Sequence, residues 1–546
     1  MTKKKSAIKQ LRKWLDKNIL LLLSGILLVF IPLFPKIPFF SPIEEYIVRI
    51  RLEDLLIAAT ALVWLVQLIR KKIRWKSSLT WLILAYALVG LLSVISSLFI
   101  IKTVPLISIH ILKTALHYFR YLEYFLLFFI VYSSINKLKD VKILLGVMSL
   151  SFLGVVIYGI GQKYYYWPVY STMNREFSKG VRLYLTGQAR VQSTFAGHYD
   201  LAAYLVVILP IMLALAYQAK NKIIKSLLFL AQFLGVWLLI MTAARTSFAA
   251  YALTTAVVIF SLGFKRASFW PKMRWITTRL LSLWTIIFII MIGFGDDIYE
   301  RSLQVLKSYP QAYSSYQQLE KKSLLLYSNT QAILETTKLN FKEPTPPPKS
   351  ISTEEAAVIV ASDQRPTLEK PSDVYEDIPD LIPTATISAK GETELIFVEQ
   401  PRVWSDNALR YGLSMAIRLD TLWPRAVQGF VRSPLFGSGY ATLNKTSSTD
   451  FTIADSTDNN FLRTLGETGL LGFITFYGVT IAGIFIAIRG LKEKDMLLST
   501  LSIGYLAAAI GLLFNALYID VFAASKVAFT FWSVTGLYLG YYELKK

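Results

Sequence analysis

The stretch LTWLILAYALVGLLSVISSLFII, residues 79–101, contains no charged side chain. A helix of about 20 apolar residues spans the hydrocarbon core of a bilayer, and within lipid only a helix or a closed barrel satisfies its own backbone hydrogen bonds. The run is continuous in Leu, Ile, Val and Phe and does not alternate with polar residues, which favours a helix. Similar runs recur along the chain. The sequence therefore predicts an all-α integral membrane protein.

Twelve such runs are predicted to be transmembrane helices. They lie near 18–34, 52–69, 79–101, 118–135, 142–160, 199–218, 224–242, 247–264, 275–294, 461–488, 496–515 and 521–541. Loops rich in Lys and Arg follow every second run, at 70–76, 137–142, 220–225, 265–274 and 489–495. By the positive-inside rule, these loops and both termini are predicted to be cytoplasmic and the remaining loops to lie outside an inner (plasma) membrane.

The composition agrees with a membrane protein. Hydrophobic residues make up 54% of the chain and charged residues 17%, and no segment has the composition of a separate soluble enzyme domain. The formal net charge is +22, but the basic residues are dispersed among loops, which argues against a nucleic-acid partner. The absence of cysteine excludes disulfides, thiolate metal sites and cysteine nucleophiles.

Polar chemistry is concentrated in the predicted outer segments. Residues 161–198 are rich in Tyr and Trp, which suits the membrane interface and equally suits stacking against sugars. Residues 242–247, TAARTS, form a very short predicted turn between two helices. The insertion at 295–460 is too long for an ordinary connector, so function is expected in these segments.

The large insertion is composite. Residues 296–340 and 402–431 have helical periodicity, whereas 343–395 are dominated by Pro, Thr, Ser and acidic residues and are expected to be largely disordered. The predicted organisation is helices one to nine in 1–294, the outer loop in 295–460 and helices ten to twelve in 461–546.

Four motifs, in order, resemble those of the O-antigen ligase and polymerase family. They are ARVQSTFAGHYDLAAYLVVILPI (189–211), MTAARTSFAAY (241–251), SPLFGSGYATL (433–443) and TDNNFLRTLGETGLLGF (457–473). Members of that family join lipid-carried glycans at the outer face of the bacterial inner membrane. The resemblance implies a GT-C-like fold and inverting transfer of a glycan from an undecaprenyl-diphosphate-linked donor. The acceptor hydroxyl stays open between a lipid, another glycan and a protein.

Arginines are the predicted ligands of the donor diphosphate. Departure of this group leaves negative charge on its oxygens, and guanidinium groups match those oxygens and stay ionised. The candidates are Arg190 and Arg245 at predicted helix mouths, and Arg418 and Arg425 on the helical part of the loop. Asn459 is a further candidate for substrate binding. For each arginine the alternative is snorkelling to lipid headgroups.

The transfer also needs a base that takes the proton of the acceptor hydroxyl. Many members of the family carry a His in the large loop, but this chain has none in 295–460. The candidates are His198 and Asp458, and Asp458 is equally suited to cap helix ten. His110 and His117 are expected to lie in an amphipathic stretch that precedes helix four.

Glu467 is a third catalytic candidate, since it lies inside a predicted transmembrane helix. An acidic residue there is costly enough to predict a partner such as an arginine. Alternatively, Gly466, Gly469 and Gly472 make this stretch a site of close helix packing.

The sequence shows no cofactor or metal motif, which suits a transfer in which arginines replace a divalent ion at the diphosphate. A multispan transporter or a flippase of lipid-linked glycans is the competing class. Few charges within the predicted spans and no convincing internal repeat favour the enzyme.

Overall fold

A computed structural model of the protein describes most of the helical part of the chain. The described residues are 2–40, 49–172, 177–186, 189–265, 268–295, 314, 380–387, 393–400, 405, 407, 413–443 and 456–546. The predicted helices at 296–340 lie outside the described residues except for Ser314, and residues 343–379 and 388–392 of the segment expected to be disordered also lie outside them.

Long helices dominate the described residues. Numbered in chain order, they are α1 Thr2–Leu33, α2 Leu52–Ile69, α3 Thr80–Ile95, α4 Ser108–Ser134, α5 Leu138–Tyr164, α6 His198–Gln218, α7 Lys222–Met241, α8 Arg245–Gly263, α9 Phe269–Phe294, α10 Asn460–Gly490, α11 Met496–Asn515 and α12 Ser525–Lys545. A π-helical turn, Ser96–Ile100, extends α3. Ten of these helices are long and apolar enough to cross a membrane, so the chain is a mostly helical, multi-pass membrane protein.

The two long helices outside that set of ten, α4 and α12, lie in the interior of the bundle. Every residue of α12 from 526 to 542 is buried, and α12 packs against α4. Phe125 of α4 contacts Trp532 of α12 with ring centroids 4.4 Å apart. A helix enclosed by protein does not need a lipid-facing apolar surface, which explains why these two are less apolar than the others.

Contacts between loops define two ends of the bundle. At one end, which we call the basic end, Arg70 pairs with Asp16 at 2.6 Å and Lys545 pairs with Asp495 at 2.9 Å. At the opposite end, which we call the site end, Thr103 bonds to the Ser438 carbonyl. The site end carries the starts of α6, α8, α10 and α12.

Two boundaries differ from the sequence prediction in ways that affect the site. Helix α4 begins at Ser108, ten residues before the predicted start at 118, so His110 and His117 lie within the helix and do not precede it. His110 is buried in the bundle, so the amphipathic stretch predicted to precede helix four is the first part of α4 itself. The turn at 242–247 is shortened to 242–244, because Arg245 is already the first residue of α8.

The large loop contains short described elements. Helical periodicity predicted for 402–431 is realised as Leu413–Ile417, a π-helical turn Arg418–Leu422, and Trp423–Arg432, which we call the loop helix.

Short strands form two antiparallel pairs. Strand β1, Pro38–Phe40, pairs with β2, Ile50–Arg51. Strand β3, Asp380–Ile387, pairs with β4, Thr393–Gln400. The second hairpin overlaps the segment that was expected to be disordered, so that expectation does not hold for these strands. Their β-branched and aromatic residues favour extended pairing.

Candidate functional site

The two motifs that flank the end of the large loop interlock inside the bundle. Helix α10 is broken at Gly469, which has φ of 67°. The turn at 434–441 fills the break: Leu470 N donates to the Pro434 carbonyl at 2.8 Å, and Gly439 N donates to the Glu467 carbonyl at 2.9 Å. A Cβ on Gly469 would lie 2.4 Å from the Leu435 carbonyl carbon. The close packing predicted for Gly469 therefore occurs, but its partner is the turn at 434–441 and not another transmembrane helix.

Glu467 anchors the same interlock. Its Oε1 accepts a hydrogen bond from Ala441 N at 3.1 Å and lies 3.4 Å from Arg463 Nε. The side chain is almost fully buried, so the predicted need for an arginine partner is met, although Arg463 was not among the candidate arginines. These contacts give Glu467 a part in holding the motifs together, and a catalytic role for it stays a prediction.

Asp458 lies immediately before α10 and does not cap it. The cap is Asn459, whose side-chain oxygen accepts from Leu462 N at 3.0 Å. Asp458 has a left-handed backbone, with φ of 51°, which Asp adopts more readily than most residues. Its Oδ2 lies 2.9 Å from Arg418 Nη2, and its Oδ1 accepts from Ser456 Oγ at 2.8 Å. The carboxyl group is therefore directed into the site end.

The environment of Asp458 makes it more basic than an ordinary aspartate. Burial raises the pKa of Asp458, and the Arg418 charge lowers it without cancelling the increase. The side chain keeps 36% of its surface exposed, which leaves it accessible to a substrate hydroxyl or to water.

Arg245 lies within electrostatic range of two other candidate arginines at this end of the bundle. Arg245, exposed at the start of α8, interacts electrostatically with Arg190 and with Arg418. Like charges held together in this way favour a multiply charged anion between them. Arg425 lies on the loop helix and is half-buried, but it is not among the charges that act on Arg245.

His198 is engaged by one of these arginines. Arg190 Nη1 donates to His198 Nε2 at 2.7 Å, so this ring nitrogen carries a lone pair and the imidazole is neutral. The ring also packs against Tyr199, with centroids 4.0 Å apart. His198 can therefore act as a base through Nε2 only after the bond to Arg190 breaks.

A buried aspartate that the sequence analysis did not select completes the site. Asp520 lies between α11 and α12, and its Oδ2 accepts from Arg463 Nη1 at 3.0 Å and from Thr457 N at 2.8 Å. Ser456 Oγ lies 3.1 Å from the same oxygen. In the sequence, Asp520 is one acidic residue in a short connection, YIDVF, and only its apolar flanks indicate burial.

A second polar cluster lies elsewhere at the site end and was also missed. Lys36 Nζ lies 2.5 Å from Glu53 Oε1 and donates to Ser525 Oγ at 2.6 Å. Burial lowers the pKa of Lys36, while Glu53 opposes the decrease. Lys526 donates to the carbonyls of Phe34 and Thr194, both at 2.7 Å. These bonds tie α12 to the loops after α1 and before α6.

Among the described residues, no group of three or more His, Cys, Asp or Glu side chains is arranged to hold a metal ion. In comparisons with known proteins, no family model and no curated protein matches the chain. Guanidinium groups are chemically suited to bind a diphosphate, and the carboxylate of Asp458, paired with Arg418, is suited to accept a proton.

Proposed function

We propose that the protein is a GT-C-like membrane glycosyltransferase with twelve transmembrane helices. It transfers a glycan from an undecaprenyl-diphosphate-linked donor to an acceptor hydroxyl, as in the O-antigen ligase and polymerase family that its motifs resemble. In this proposal the site end faces the outside of an inner membrane, and the basic end and both termini are cytoplasmic. The acceptor is a lipid, another glycan or a protein.

The observation that carries the proposal is the grouping of Arg190, Arg245 and Arg418 at the site end, where Arg418 is paired with Asp458. Arg245 interacts with both other arginines, and Arg418 is paired with Asp458 at 2.9 Å. Snorkelling to headgroups would direct the arginines outward to separate lipids and would not bring them together. A doubly charged leaving group explains why three cations share one end of the bundle.

Each group has a defined part in the reaction. The arginines bind the diphosphate and stabilise the charge that develops when it leaves. Asp458 takes the proton from the acceptor hydroxyl as its oxygen attacks the anomeric carbon. We assign the base to Asp458 ahead of His198, because the Nε2 lone pair of His198 accepts from Arg190.

One observation favours the alternative of a lipid-glycan flippase. Transporters bind substrates at discontinuous helices, and α10 is interrupted at Gly469. Such interruptions usually occur in matched pairs, and α10 alone shows a non-helical residue of this kind among the described helices. The enzyme therefore remains the better-supported function.

Reconstitution tests the proposal directly. Liposomes containing the protein and a polyprenyl-diphosphate-linked oligosaccharide would be supplied with defined lipid, glycan and peptide acceptors. We expect a glycosylated acceptor and released polyprenyl diphosphate, and we expect Arg245→Ala to abolish both. Arg489→Ala, an exposed arginine at the other end of α10, is the matched control. Movement of intact donor between leaflets without any transfer would replace the enzyme by the flippase.

A further inference from the structure

The hydroxyl group of Ser456 lies between two carboxylates. Ser456 Oγ is 2.8 Å from Asp458 Oδ1 and 3.1 Å from Asp520 Oδ2. A serine hydroxyl carries one hydrogen, so it donates to one of these oxygens at a time. The contact between Ser456 Oγ and the other oxygen is a hydrogen bond at the same moment only if that carboxyl group holds a proton.

The two carboxylates differ in their hydrogen-bond donors and in their exposure. Asp520 is buried, and its Oδ2 accepts from Arg463 Nη1 at 3.0 Å and from Thr457 N at 2.8 Å. Asp458 has a single arginine contact, to Arg418, and remains partly exposed. Asp520 Oδ2 therefore has two donors besides Ser456, whereas the Asp458 carboxyl group has one arginine contact and an exposed surface through which it can exchange a proton.

We propose that Ser456 and Asp520 are positioning residues that allow Asp458 to accept and hold a proton. While Asp458 is ionised, the Ser456 hydroxyl donates to it. When Asp458 is protonated, its Oδ1–H donates to Ser456 Oγ, and the serine hydrogen turns to Asp520. Both protonation states of the base are then fully hydrogen-bonded. This inference rests on the proposed glycan transfer.

In the proposed transfer, each bond that forms is matched by a bond that breaks. The acceptor O–H bond breaks as its oxygen forms the new bond to the anomeric carbon. The bond from that carbon to the diphosphate breaks, and its electron pair stays with the diphosphate. The proton passes to Asp458, is shared with Ser456, and leaves to water through the exposed part of the Asp458 side chain.

Other ionisable groups face these two aspartates from the surrounding elements. Arg418 faces Asp458 from the π-helical turn, and Tyr121 of α4 and Tyr477 of α10 interact electrostatically with Asp520. Arg463, between Asp520 and Glu467, neutralises part of the negative charge. These groups are unchanged in the variants of Ser456, which makes the serine the cleanest position for a test.

The first test compares Ser456→Ala with Ser456→Thr, which keeps a hydroxyl. A hydrogen bond to a charged group contributes about 1.5–3 kcal/mol, so we expect Ser456→Ala to lower kcat about tenfold or more and Ser456→Thr to recover most of the rate. Ser405→Ala removes another serine–aspartate bond, 2.6 Å to Asp420, and serves as the matched control. A wild-type kcat in Ser456→Ala would overturn the inference.

The second test measures the pH profile of Asp520→Asn. Removing the negative charge of Asp520 makes Asp458 a weaker base. The fall of kcat on the acidic side of the pH profile, which we call the acidic limb, therefore moves to lower pH. A purely structural Asp520 would lower the yield of folded protein without moving this limb. An unmoved limb in folded Asp520→Asn would therefore overturn the coupling between the aspartates.

Infrared difference spectroscopy tests the hydrogen bonds among Ser456, Asp458 and Asp520, which we call the triad, and it does not require glycan transfer. The band of the protonated Asp458 carboxyl, identified by its loss in Asp458→Asn, should change frequency in Ser456→Ala because its hydrogen bond is lost. An unchanged band would overturn the positioning role even if glycan transfer is observed. A changed band in a protein that shows no transfer with any acceptor would support the triad and overturn the proposed function alone.

Discussion

Arg190 donates a hydrogen bond to His198 Nε2 across 2.7 Å. The two residues are joined at the start of α6, and this bond occupies the lone pair that a histidine base would use. In the proposed transfer we therefore assign the proton-accepting role to Asp458, which is paired with a different arginine. The contrast between these two arginine contacts leads to a direct test of the base.

Asp458→Asn should abolish glycan transfer and leave the fold intact. Asn keeps the shape of the side chain and tolerates the left-handed backbone, and α10 is capped by Asn459, so its start is unaffected. Loss of a general base lowers the rate by about 10² to 10⁴, whereas His198→Ala should be milder. The measurement is transfer in proteoliposomes beside donor binding. Activity in Asp458→Asn together with its loss in His198→Gln would move the base to His198.

The activity should fall at acidic pH, because Asp458 acts as a base only when ionised. Burial raises the pKa of Asp458 above the usual value of about 3.9, so activity is lost at a higher pH than for an exposed aspartate. Arg418 lowers this pKa, and Arg418→Gln should therefore move the acidic limb to still higher pH. Rates measured across pH in both proteins check the direction. A limb that moves to lower pH would contradict the Arg418–Asp458 pairing.

Arg245→Lys should reduce transfer about tenfold or more. Lysine keeps the charge but loses the planar fork that contacts two phosphate oxygens at once. Arg489→Lys, at the basic end, should retain wild-type activity with equal membrane abundance. Donor affinity and kcat measured in proteoliposomes separate binding from chemistry. Wild-type affinity and rate in Arg245→Lys would return Arg245 to anchoring at the headgroups.

Gly469→Ala should destabilise the protein far more than Gly478→Ala on the same helix. At Gly469 the backbone is left-handed and a Cβ would meet the Leu435 carbonyl carbon at 2.4 Å. At Gly478 the nearest atom is Leu82 Cδ2 at 3.8 Å, an ordinary contact. Strain of this kind costs about 1–3 kcal/mol before the clash is counted. Thermal unfolding in detergent measures the difference, and equal midpoints would show that the break in α10 is not required.

Labelling of introduced cysteines checks the orientation, and the chain has no cysteine of its own. Gln428 is exposed on the loop helix at the site end, and Lys494 is exposed at the basic end. In intact cells a membrane-impermeant reagent should label Gln428→Cys and should label Lys494→Cys only after permeabilisation. The reverse result would invert the protein in the membrane and exclude an outer-face reaction.

The spans were predictable because continuous apolar runs of this length have few other structures available in lipid. The start of α4 was not predictable from hydropathy. Its first turns carry His110, Lys113 and His117, and such residues read as a loop unless the enclosing helices are known. The prediction failed there because hydropathy measures contact with lipid, whereas α4 mainly contacts protein.

The candidate site was predictable only in part. Arg190, Arg245 and Arg418 were selected because they lie at predicted helix mouths or in the part of the large loop with helical periodicity, within motifs or close to them. Asp520 and Ser456 act on Asp458 through contacts across the chain, up to 64 positions apart between Ser456 and Asp520. No local pattern encodes such a contact, because it depends on how α10 and the connection between α11 and α12 pack together.

The enclosure of α12 has a consequence for how the protein is made. Helix α12 carries Lys526, whose Nζ donates to carbonyl groups of the loops after α1 and before α6. Its partners come from segments synthesised hundreds of residues earlier. These hydrogen bonds can therefore form only after α12 has been synthesised, long after the loops that it contacts.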